Sequence, residues 1–272
     1  PKLSSPKVAV CLHGLARGST VASDGAFQED FEYLKDAVKS YDADFFIHSW
    51  DVDIEDHLTE CFNPKVKCFE SQLGFKEEMS RLRVPHRFVY SDNGDLFKTL
   101  SFTYSRMRSV NLKKQYEVEN KIKYDCVLIS RFDVGHHNQG RNKTSKLKFN
   151  PNEDMDKIYQ AYWDQTNAGV TDHWFYGSSK LMDQVGDLYN HVIDYLQPDS
   201  GYIEASENGW PLSDNSNEFS NELFKPESER STKPQLRGRY WQLNNHCLYK
   251  WHFMEMGKWN LSDCVFLNKE LW

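Results

Sequence analysis

The chain has 272 residues, which is long enough to bury the core of one large domain without disulfides or metal ions as staples. Charged residues make up 27% of the sequence and hydrophobic residues 39%, as in an ordinary globular protein. The net charge of −7 argues against a nucleic-acid-binding protein, because such a protein needs a broad basic face. A small phosphorylated ligand is compatible with this charge if local arginines, lysines or a divalent cation offset the repulsion.

The six cysteines are scattered, without a C-x-x-C motif or the spacing of a zinc site, and we expect reduced structural thiols. No apolar run reaches membrane-spanning length, and the first residues lack the core of a signal peptide. The sequence therefore predicts a cytoplasmic protein without a membrane span, unless an anchor has been removed.

Apolar runs alternate with helical patterns in the first half of the chain. The run over 7–12 predicts a buried strand that ends at His13 and Gly14, and the run over 44–50 predicts a second strand. Between them, apolar residues spaced by three and four predict a helix over 26–40. Two buried strands joined through a helix form a βαβ unit, which places ligand sites at the carboxyl ends of the strands.

The rest of the chain continues this alternation and then becomes less regular. The predicted elements are a strand over 63–70, a helix over 97–120, strands over 124–130 and 157–163, a helix over 179–196, an irregular excursion over 197–238 and a helix over 244–259. We expect an α/β nucleotide-binding region over 1–196, with 197–272 completing the same domain as an irregular acceptor-side extension and a final helix. Because no P-loop or dinucleotide glycine motif occurs, phosphates must be held in another way.

Polar residues follow the first two predicted strands: His13, Gly14 and Arg17 after the first, and Trp50 and Asp51 after the second. In an open α/β sheet these ends border one crevice, so all five are candidates for binding a cofactor or nucleotide. Glycine permits close backbone approach, and the planar guanidinium of Arg17 suits a diphosphate. The alternative for Arg17 is a surface arginine in a turn bounded by glycines.

Two groups of carboxylates are candidates for metal chemistry. Asp51 and Asp53 form a D-x-D triplet, which can hold Mg²⁺ or Mn²⁺ against phosphates or can simply begin the next helix. Arg131 and Asp133 follow the longest apolar strand. Asp133 can bind a divalent cation while Arg131 neutralises phosphate charge, or the two can form an ion pair.

The segment 171–179 joins a carboxylate, an imidazole and three aromatic rings ahead of a predicted helix. It predicts a platform for an acceptor, with Asp172 or His173 as the base that takes a hydroxyl proton. The alternative is a serine N-cap preceded by core aromatics. Near the last predicted helix, His246 and His252 are candidate metal or phosphate ligands, and a satisfied structural histidine is the alternative for each.

These features resemble glycosyltransferases of a GT-A-like family found in bacterial polysaccharide loci and large algal viruses. The resemblance covers about 7–195 and rests on the stretches 8–17 and 44–51, on the R-x-D strand end at 131–133, and on the D-x-x-x-x-G-S segment that begins at Asp172. It implies a GT-A-like single domain with a mainly parallel Rossmann-like sheet. It also implies a nucleoside-diphosphate sugar donor and transfer onto a glycan. We expect a UDP- or GDP-sugar, an oligosaccharide or glycoprotein acceptor, and inversion slightly favoured over retention.

The resemblance also implies that Arg131 and Asp133 stand where GT-A enzymes carry D-x-D. Since arginine replaces the first acid, Mn²⁺ or Mg²⁺ at Asp133 is a possible cofactor rather than a required one. Two other classes stay open on the sequence. A sulfotransferase also uses an α/β domain, although the loop after the first strand lacks the Lys/Ser-rich composition expected there. A non-catalytic glycan-binding module is supported only by the aromatic content of 14%.

Overall fold

The structure is a computed structural model of the chain. It describes residues 5–16, 26–83, 96–134, 146–162, 169–211, 242–268 and 270, with the backbone alone for 26–29. The predicted ligand Arg17 lies outside these residues.

One mixed sheet of seven strands organises the described residues. The strands in chain order are β1 (Val8–Gly14), β2 (Asp44–Ser49), β3 (Val66–Phe69), β4 (Cys126–Arg131), β5 (Ile158–Ala161), β6 (Trp174–Gly177) and β7 (Cys264–Leu267). Their order across the sheet is β3-β2-β1-β4-β6-β5-β7. All neighbours pair in parallel except that β6 runs antiparallel to both β4 and β5. The sheet is thus mostly parallel and has one reversed strand.

Helices flank the sheet. Within the described residues they are α1 (Ala26–Val38), α2 (Glu55–Phe62), α3 (Lys76–Ser80), α4 (Leu96–Asn120), α5 (Ser179–Gly186), α6 (Tyr189–Tyr195), α7 (Gly201–Glu207) and α8 (Asn245–Glu255). None of them combines the length and the apolar run that crossing a bilayer requires.

The alternation of side chains along β1 explains why both faces of the sheet are covered. Ala9 and Cys11 belong to an apolar cluster with residues of α4, α5 and α8, whereas Val8, Val10 and Leu12 belong to a second cluster with residues of α1 and α2. Successive side chains of a strand point to opposite faces, so a strand that is apolar throughout requires a layer on each side. The result is the helix–sheet–helix arrangement of a Rossmann-like α/β protein.

The predicted strands over 7–12, 44–50, 63–70, 124–130 and 157–163 and the helices over 26–40, 97–120 and 244–259 are confirmed, with small differences at their ends. The single helix predicted over 179–196 is wrong, because α5 and α6 are separated at Asp187. Between the two helices, the backbone N–H groups of Asp187 and Asn190 donate to carbonyls three residues back, that of Gln184 at 3.1 Å and that of Asp187 at 3.0 Å. These tighter turns interrupt the α-helical hydrogen-bond pattern.

The irregular excursion predicted over 197–238 is wrong at its start, where α7 forms. Ser200 caps this helix by accepting a hydrogen bond from the backbone N–H of Ile203 at 3.1 Å. Tyr202 and Ile203 of this helix are buried, so tertiary packing outweighs the polar composition of the segment. Residues 212–238 of the same excursion lie outside the described residues.

Candidate functional site

The carboxyl ends of β1, β2 and β4 lie side by side at one edge of the sheet. The strand registers place His13 of β1 beside His48 of β2 on one side and beside Arg131 of β4 on the other. The order β3-β2-β1-β4 is that of a doubly wound sheet, which binds ligands outside the carboxyl ends of its strands where the strand order reverses. The predicted shared crevice therefore falls at the junction of β1 and β4.

The chain leaves β1 through Gly14, whose φ of +98° lies in a region that favours glycine. The N–H of Gly14 donates to Ser105 Oγ at 2.7 Å, and its carbonyl accepts from Ser49 Oγ at 2.9 Å. The Asp51 carboxylate accepts from the backbone N–H of Ala16 at 2.7 Å. Asp51 therefore fastens the loop after β1 to the end of β2.

Trp50 and Asp53, which also follow β2, lie in different environments. Trp50 is buried in the apolar core, with its ring stacked on Tyr104 at 5.5 Å between centroids. Asp53 is exposed in a one-turn 3-10 helix, Val52–Ile54, that leads into α2. The D-x-D triplet thus begins a helical segment, which was the alternative to metal binding. A ligand contact by Trp50 stays a prediction.

An ion-paired arginine occupies the end of β4. Arg131 Nε donates to Asp133 Oδ1 at 2.8 Å, and Arg131 Nη2 donates to Asp133 Oδ2 at 2.5 Å. The remaining nitrogen, Nη1, lies 3.6 Å from Asp172 Oδ1. The ion pair that was the alternative for Arg131 and Asp133 is therefore present in the structure. The same guanidinium also contacts the carboxylate of Asp172, which lies in another segment of the sequence.

Asp172 is a buried carboxylate among positive groups. Burial by itself raises the pKa of Asp172, but the neighbouring His246 imidazole and Arg131 guanidinium outweigh that effect and hold the pKa well below its ordinary value. The carboxylate is therefore a stable anion at neutral pH. A carboxylate with such a low pKa is a weak proton acceptor, which favours an anchoring role over that of a general base.

The two candidate histidines near Asp172 are positioned by backbone contacts. His173 offers its carbonyl to the backbone N–H of Arg131 at 3.1 Å. His246 Nδ1 donates to the carbonyl of Val170 at 2.5 Å, and its backbone N–H donates to the N-cap residue Asn244 at 2.8 Å. The start of α8 is thereby joined to the segment that carries Asp172.

Close packing at this junction requires glycine at position 169. A Cβ atom there would lie 2.5 Å from the backbone of His246, a distance that real contacts do not show. In the described part of the chain, three possible metal ligands converge at His48, Cys68 and Glu70, and neither Asp133 nor His246 belongs to that group. The metal-binding roles of Asp133 and His246 stay predictions.

Arg106 of α4 is a central residue that the sequence reasoning missed. It is fully buried, and its Nε donates to His13 Nε2 at 3.0 Å while its Nη2 donates to the carbonyl of Asp172. The rings of Phe102 and Tyr249 each lie 4.7 Å from its guanidinium carbon. Arg106 therefore links β1, the segment before β6 and α8 at the candidate site.

Burial and two neighbouring arginines keep His13 neutral. Burial lowers the pKa of His13 well below its ordinary value, and the charges of Arg106 and Arg131 lower it further. Since Nε2 of the neutral ring accepts from Arg106, the proton resides on Nδ1, which has no hydrogen-bond partner among the described residues. A buried donor of this kind is usually satisfied by water or ligand, which supports His13 as a ligand contact.

A signal for Arg106 was available in the sequence. Leu100, Thr103, Arg106 and Val110 follow one another at spacings of three and four, so they share the buried face of α4. An arginine within this stripe, unlike those outside it, is therefore a candidate for burial.

The aromatic platform predicted over 171–179 is wrong. Trp174, Phe175 and Tyr176 form β6 and are at most 1% exposed, so they cannot support an acceptor. Tyr176 stacks on Tyr159 of β5 with 4.6 Å between ring centroids. The core alternative is confirmed for these rings. The structural alternative is also confirmed for His252, which has hydrogen-bond partners at both ring nitrogens.

The fold and this edge define a mixed α/β protein with a Rossmann-like sheet and a charged site where β1 meets β4. Comparisons with protein families, with curated proteins and with solved structures found no match to the chain. A function therefore has to be argued from the chemistry of the site.

Proposed function

We propose that the protein is a GT-A-type glycosyltransferase that moves a sugar from a nucleoside-diphosphate sugar to a hydroxyl group of a glycan acceptor. The proposal is carried by the guanidinium of Arg131, which contacts both Asp133 and Asp172 at the carboxyl end of β4. This position adjoins the reversal of strand order, where doubly wound sheets bind nucleotides.

The chemistry needs positive charge on the leaving group. As the bond between the anomeric carbon and the diphosphate oxygen breaks, negative charge develops on the nucleoside diphosphate, and preorganised cations stabilise it. Arg131 supplies a planar set of donors that matches phosphate oxygens. On donor binding, a phosphate replaces Asp133 on part of this guanidinium, and Asp133 becomes available to a sugar hydroxyl.

A divalent cation fits the carboxylate oxygens of Asp133 by chemistry, since Mg²⁺ and Mn²⁺ prefer such ligands. Both oxygens already accept hydrogen bonds from Arg131, however, so a cation competes with the guanidinium for them. When bound, the ion would neutralise charge on the diphosphate. We therefore propose that Arg131 does much of this work and that transfer retains substantial activity without added metal.

The acceptor hydroxyl is proposed to bind at Asp172. The hydroxyl oxygen attacks the anomeric carbon on the face opposite the diphosphate. The new glycosidic bond forms as the bond from that carbon to the diphosphate oxygen breaks, and the hydroxyl proton passes late in the step to solvent water. Because the pKa of Asp172 is held low, the carboxylate orients the hydroxyl more than it withdraws the proton. The Nδ1–H of His13 is a further donor for an oxygen of the bound donor sugar or diphosphate.

The Asp133→Asn variant tests the assignment. We expect sugar transfer to fall by about 100-fold or more, because the amide lacks the charge that organises Arg131 and the donor. Transfer and hydrolysis of the donor are measured with labelled nucleotide sugars.

Asp36→Asn is the matched control, because Asp36 is an exposed α1 carboxylate that pairs with Lys39. This variant should retain wild-type rates. Unchanged transfer and unchanged donor hydrolysis in Asp133→Asn would show that the assignment is wrong.

A nucleotide panel separates the classes of function. We expect uridine or guanosine diphosphates to raise the melting temperature, with most of the shift preserved in EDTA. A shift only with an adenosine phosphosulfate would point to sulfotransfer. Stabilisation by oligosaccharide and by no nucleotide would point to a glycan-binding module.

A further inference from the structure

A second cluster of polar side chains lies at the outer edge of the same sheet, where β2 and β3 end. His48 and Cys68 are directly paired in the parallel register of these strands, and Glu70 follows β3. One ligand atom from each of the three residues lies within 4.8 Å of the others. Three different metal-ligating groups therefore converge from two strands.

We propose that His48, Cys68 and Glu70 bind Zn²⁺. An imidazole nitrogen, a thiolate sulfur and a carboxylate oxygen form a ligand set that suits this borderline-soft ion, with water in the fourth position. His48 Nε2 lies 2.9 Å from Glu70 Oε1, close to the separation of roughly 3.3 Å expected between two such ligands on a tetrahedral ion. This proposal does not depend on the proposed glycosyl transfer.

The imidazole is held in place before an ion arrives. His48 is fully buried, and its Nδ1 lies 2.7 Å from Ser105 Oγ of α4. The Trp50 ring stands edge-on to the imidazole at 4.8 Å between centroids. A hydrogen-bonded second nitrogen of this kind orients ligating histidines in metal sites.

The solvent exposure of the cluster and the protons that its ligands release are both compatible with Zn²⁺ binding. Glu70 is 29% exposed, which opens the cluster to solvent on one side. Before an ion binds, His48 Nε2–H donates to Glu70 Oε1 at 2.9 Å. When Zn²⁺ binds, the Cys68 thiol releases its proton to solvent, and the His48 proton moves from Nε2 to Nδ1, where it donates to Ser105 Oγ. The thiolate and the carboxylate then balance the charge of the ion.

Arg108 is the group that competes with the ion. Its Nη2 lies 3.5 Å from Cys68 Sγ, and its Nε lies 3.9 Å from Glu70 Oε1. The side chain is 35% exposed, so it can turn out to solvent when a cation takes its place. Removal of this positive charge should therefore tighten Zn²⁺ binding, whereas removal of a ligand should weaken it.

The site would fasten a short edge strand. β3 has four residues, and among the described strands it pairs with β2 alone. A metal held by β2 and β3 together, with its histidine fixed by α4, stabilises this edge close to the loop at Gly14, whose N–H donates to the same Ser105 hydroxyl.

Metal titration tests the proposal on the whole chain. The protein is stripped with a chelator and titrated with Zn²⁺ in competition with a chromophoric chelator, and Co²⁺ is used as a spectroscopic substitute. We expect one Zn²⁺ per chain and a sulfur-to-cobalt charge-transfer band. Cys68→Ser should bind Zn²⁺ at least 10-fold more weakly and lose the band, and Arg108→Gln should bind it several-fold more tightly.

Cys61→Ser is the matched control, because Cys61 is a partly buried thiol on α2 outside the cluster. This variant should match the wild type. If Cys68→Ser does not fold, Glu70→Gln should show the same weakening with little change of shape. Absence of stoichiometric Zn²⁺, absence of the charge-transfer band, or unchanged affinity in the ligand variant that folds would overturn the proposal.

Discussion

His252 is a buried imidazole with both nitrogens hydrogen-bonded inside the protein. Nε2–H donates to the carbonyl of Gln184 at 2.8 Å, and Nδ1 accepts from the Tyr195 hydroxyl at 3.0 Å. Burial lowers the pKa of His252 to about 4. The folded protein therefore keeps this ring neutral at pH values at which a histidine in water would gain a proton.

This difference predicts a pH dependence of stability. The pKa of an unfolded histidine is about 6.5, so between pH 6.5 and 4 the unfolded chain binds the proton and the folded chain does not. The contribution to the free energy of unfolding is full above pH 6.5 and is lost as the pH falls, by about 3 kcal/mol at pH 4. His252→Gln supplies one donor and one acceptor without titrating, and should flatten this part of the curve in urea unfolding at a series of pH values.

His57→Gln provides the comparison, because His57 is an exposed residue of α2. The slope of stability against pH in this variant should equal that of the wild type. A wild-type slope in His252→Gln would mean that other groups cause the acid sensitivity.

Residues at strand ends could be predicted because their position follows from the apolar runs before them. The crevice residues His13, Asp51 and Arg131 were found in this way. The contact between Arg131 and Asp172 could not be predicted, since it joins segments that only the sheet order brings together. Arg106 was missed because a charged side chain suggests the surface, and its burial depends on contacts with His13 and Asp172 from other segments.

At the scale of elements, α5 and α4 approach each other closely at Gly186. A Cβ atom at this position would lie 2.8 Å from Val110 Cγ2 and 3.0 Å from Val110 Cβ. Neither atom can move easily, because Val110 is buried in the core between the sheet and α5. The contact limits residue 186 to glycine for a reason of space.

Gly186→Ala should therefore destabilise the protein by about 1–3 kcal/mol through overpacking, despite the better helix propensity of alanine. Val110→Ala removes the two methyl groups in the way, so the double variant should be more stable than the sum of the two single effects by about 1 kcal/mol. Denaturant unfolding of the four proteins measures this coupling.

Gly201→Ala is the control glycine, at the first position of α7. Its nearest neighbour would be Trp251 Cζ2 at 3.4 Å, an ordinary contact, and we expect no loss of stability. Additive effects of Gly186→Ala and Val110→Ala would contradict the steric explanation.

Elements with strong periodicity or long apolar runs were predictable, whereas only two of the four strands of four residues, β3 and β5, were predicted. β7 and β6 have four residues each, which is too short to distinguish a strand from a core segment by pattern. The break between α5 and α6 left the apolar stripe intact, with Leu181, Val185, Leu188 and Val192 all buried, so periodicity alone predicted one helix.

At the scale of the whole molecule, β7 comes late in the chain and lies beside β5 at one edge of the sheet. The backbone N–H of Ile158 donates to Asp263 O at 2.7 Å, and that of Tyr162 donates to Leu267 O at 2.8 Å. A chain that ends before Asn260 would leave β5 as an exposed apolar edge, which is prone to pair with other chains.

We expect this truncated chain to aggregate and to melt at a lower temperature than the full chain, as measured by size-exclusion chromatography and calorimetry. A chain ending at Asn268 keeps β7 and the hydrogen bond from Asn268 Nδ2 to the carbonyl of Lys146, and should behave as the full chain does. Equal stability of the two truncated chains would show that β7 is dispensable.

The α/β class and the parallel pairing of the first four strands could be predicted from the alternation of elements. The reversal of β6 could not, because strand direction there depends on pairing with β4 and β5 rather than on the residues of β6. The sugar, the nucleotide and the cytoplasmic location stay predictions for the same physical reason: they depend on pocket shape and context rather than on residue patterns.

The position of β7 also bears on the order of events during synthesis. The first four strands and α4 emerge from the ribosome early and can assemble as a unit, whereas β5 waits for a partner strand that is translated about a hundred residues later. During that interval β5 carries an unpaired edge. A nascent chain stalled before β7 should therefore be the form that chaperones recognise, although the β1–β4 part of its sheet is already in place.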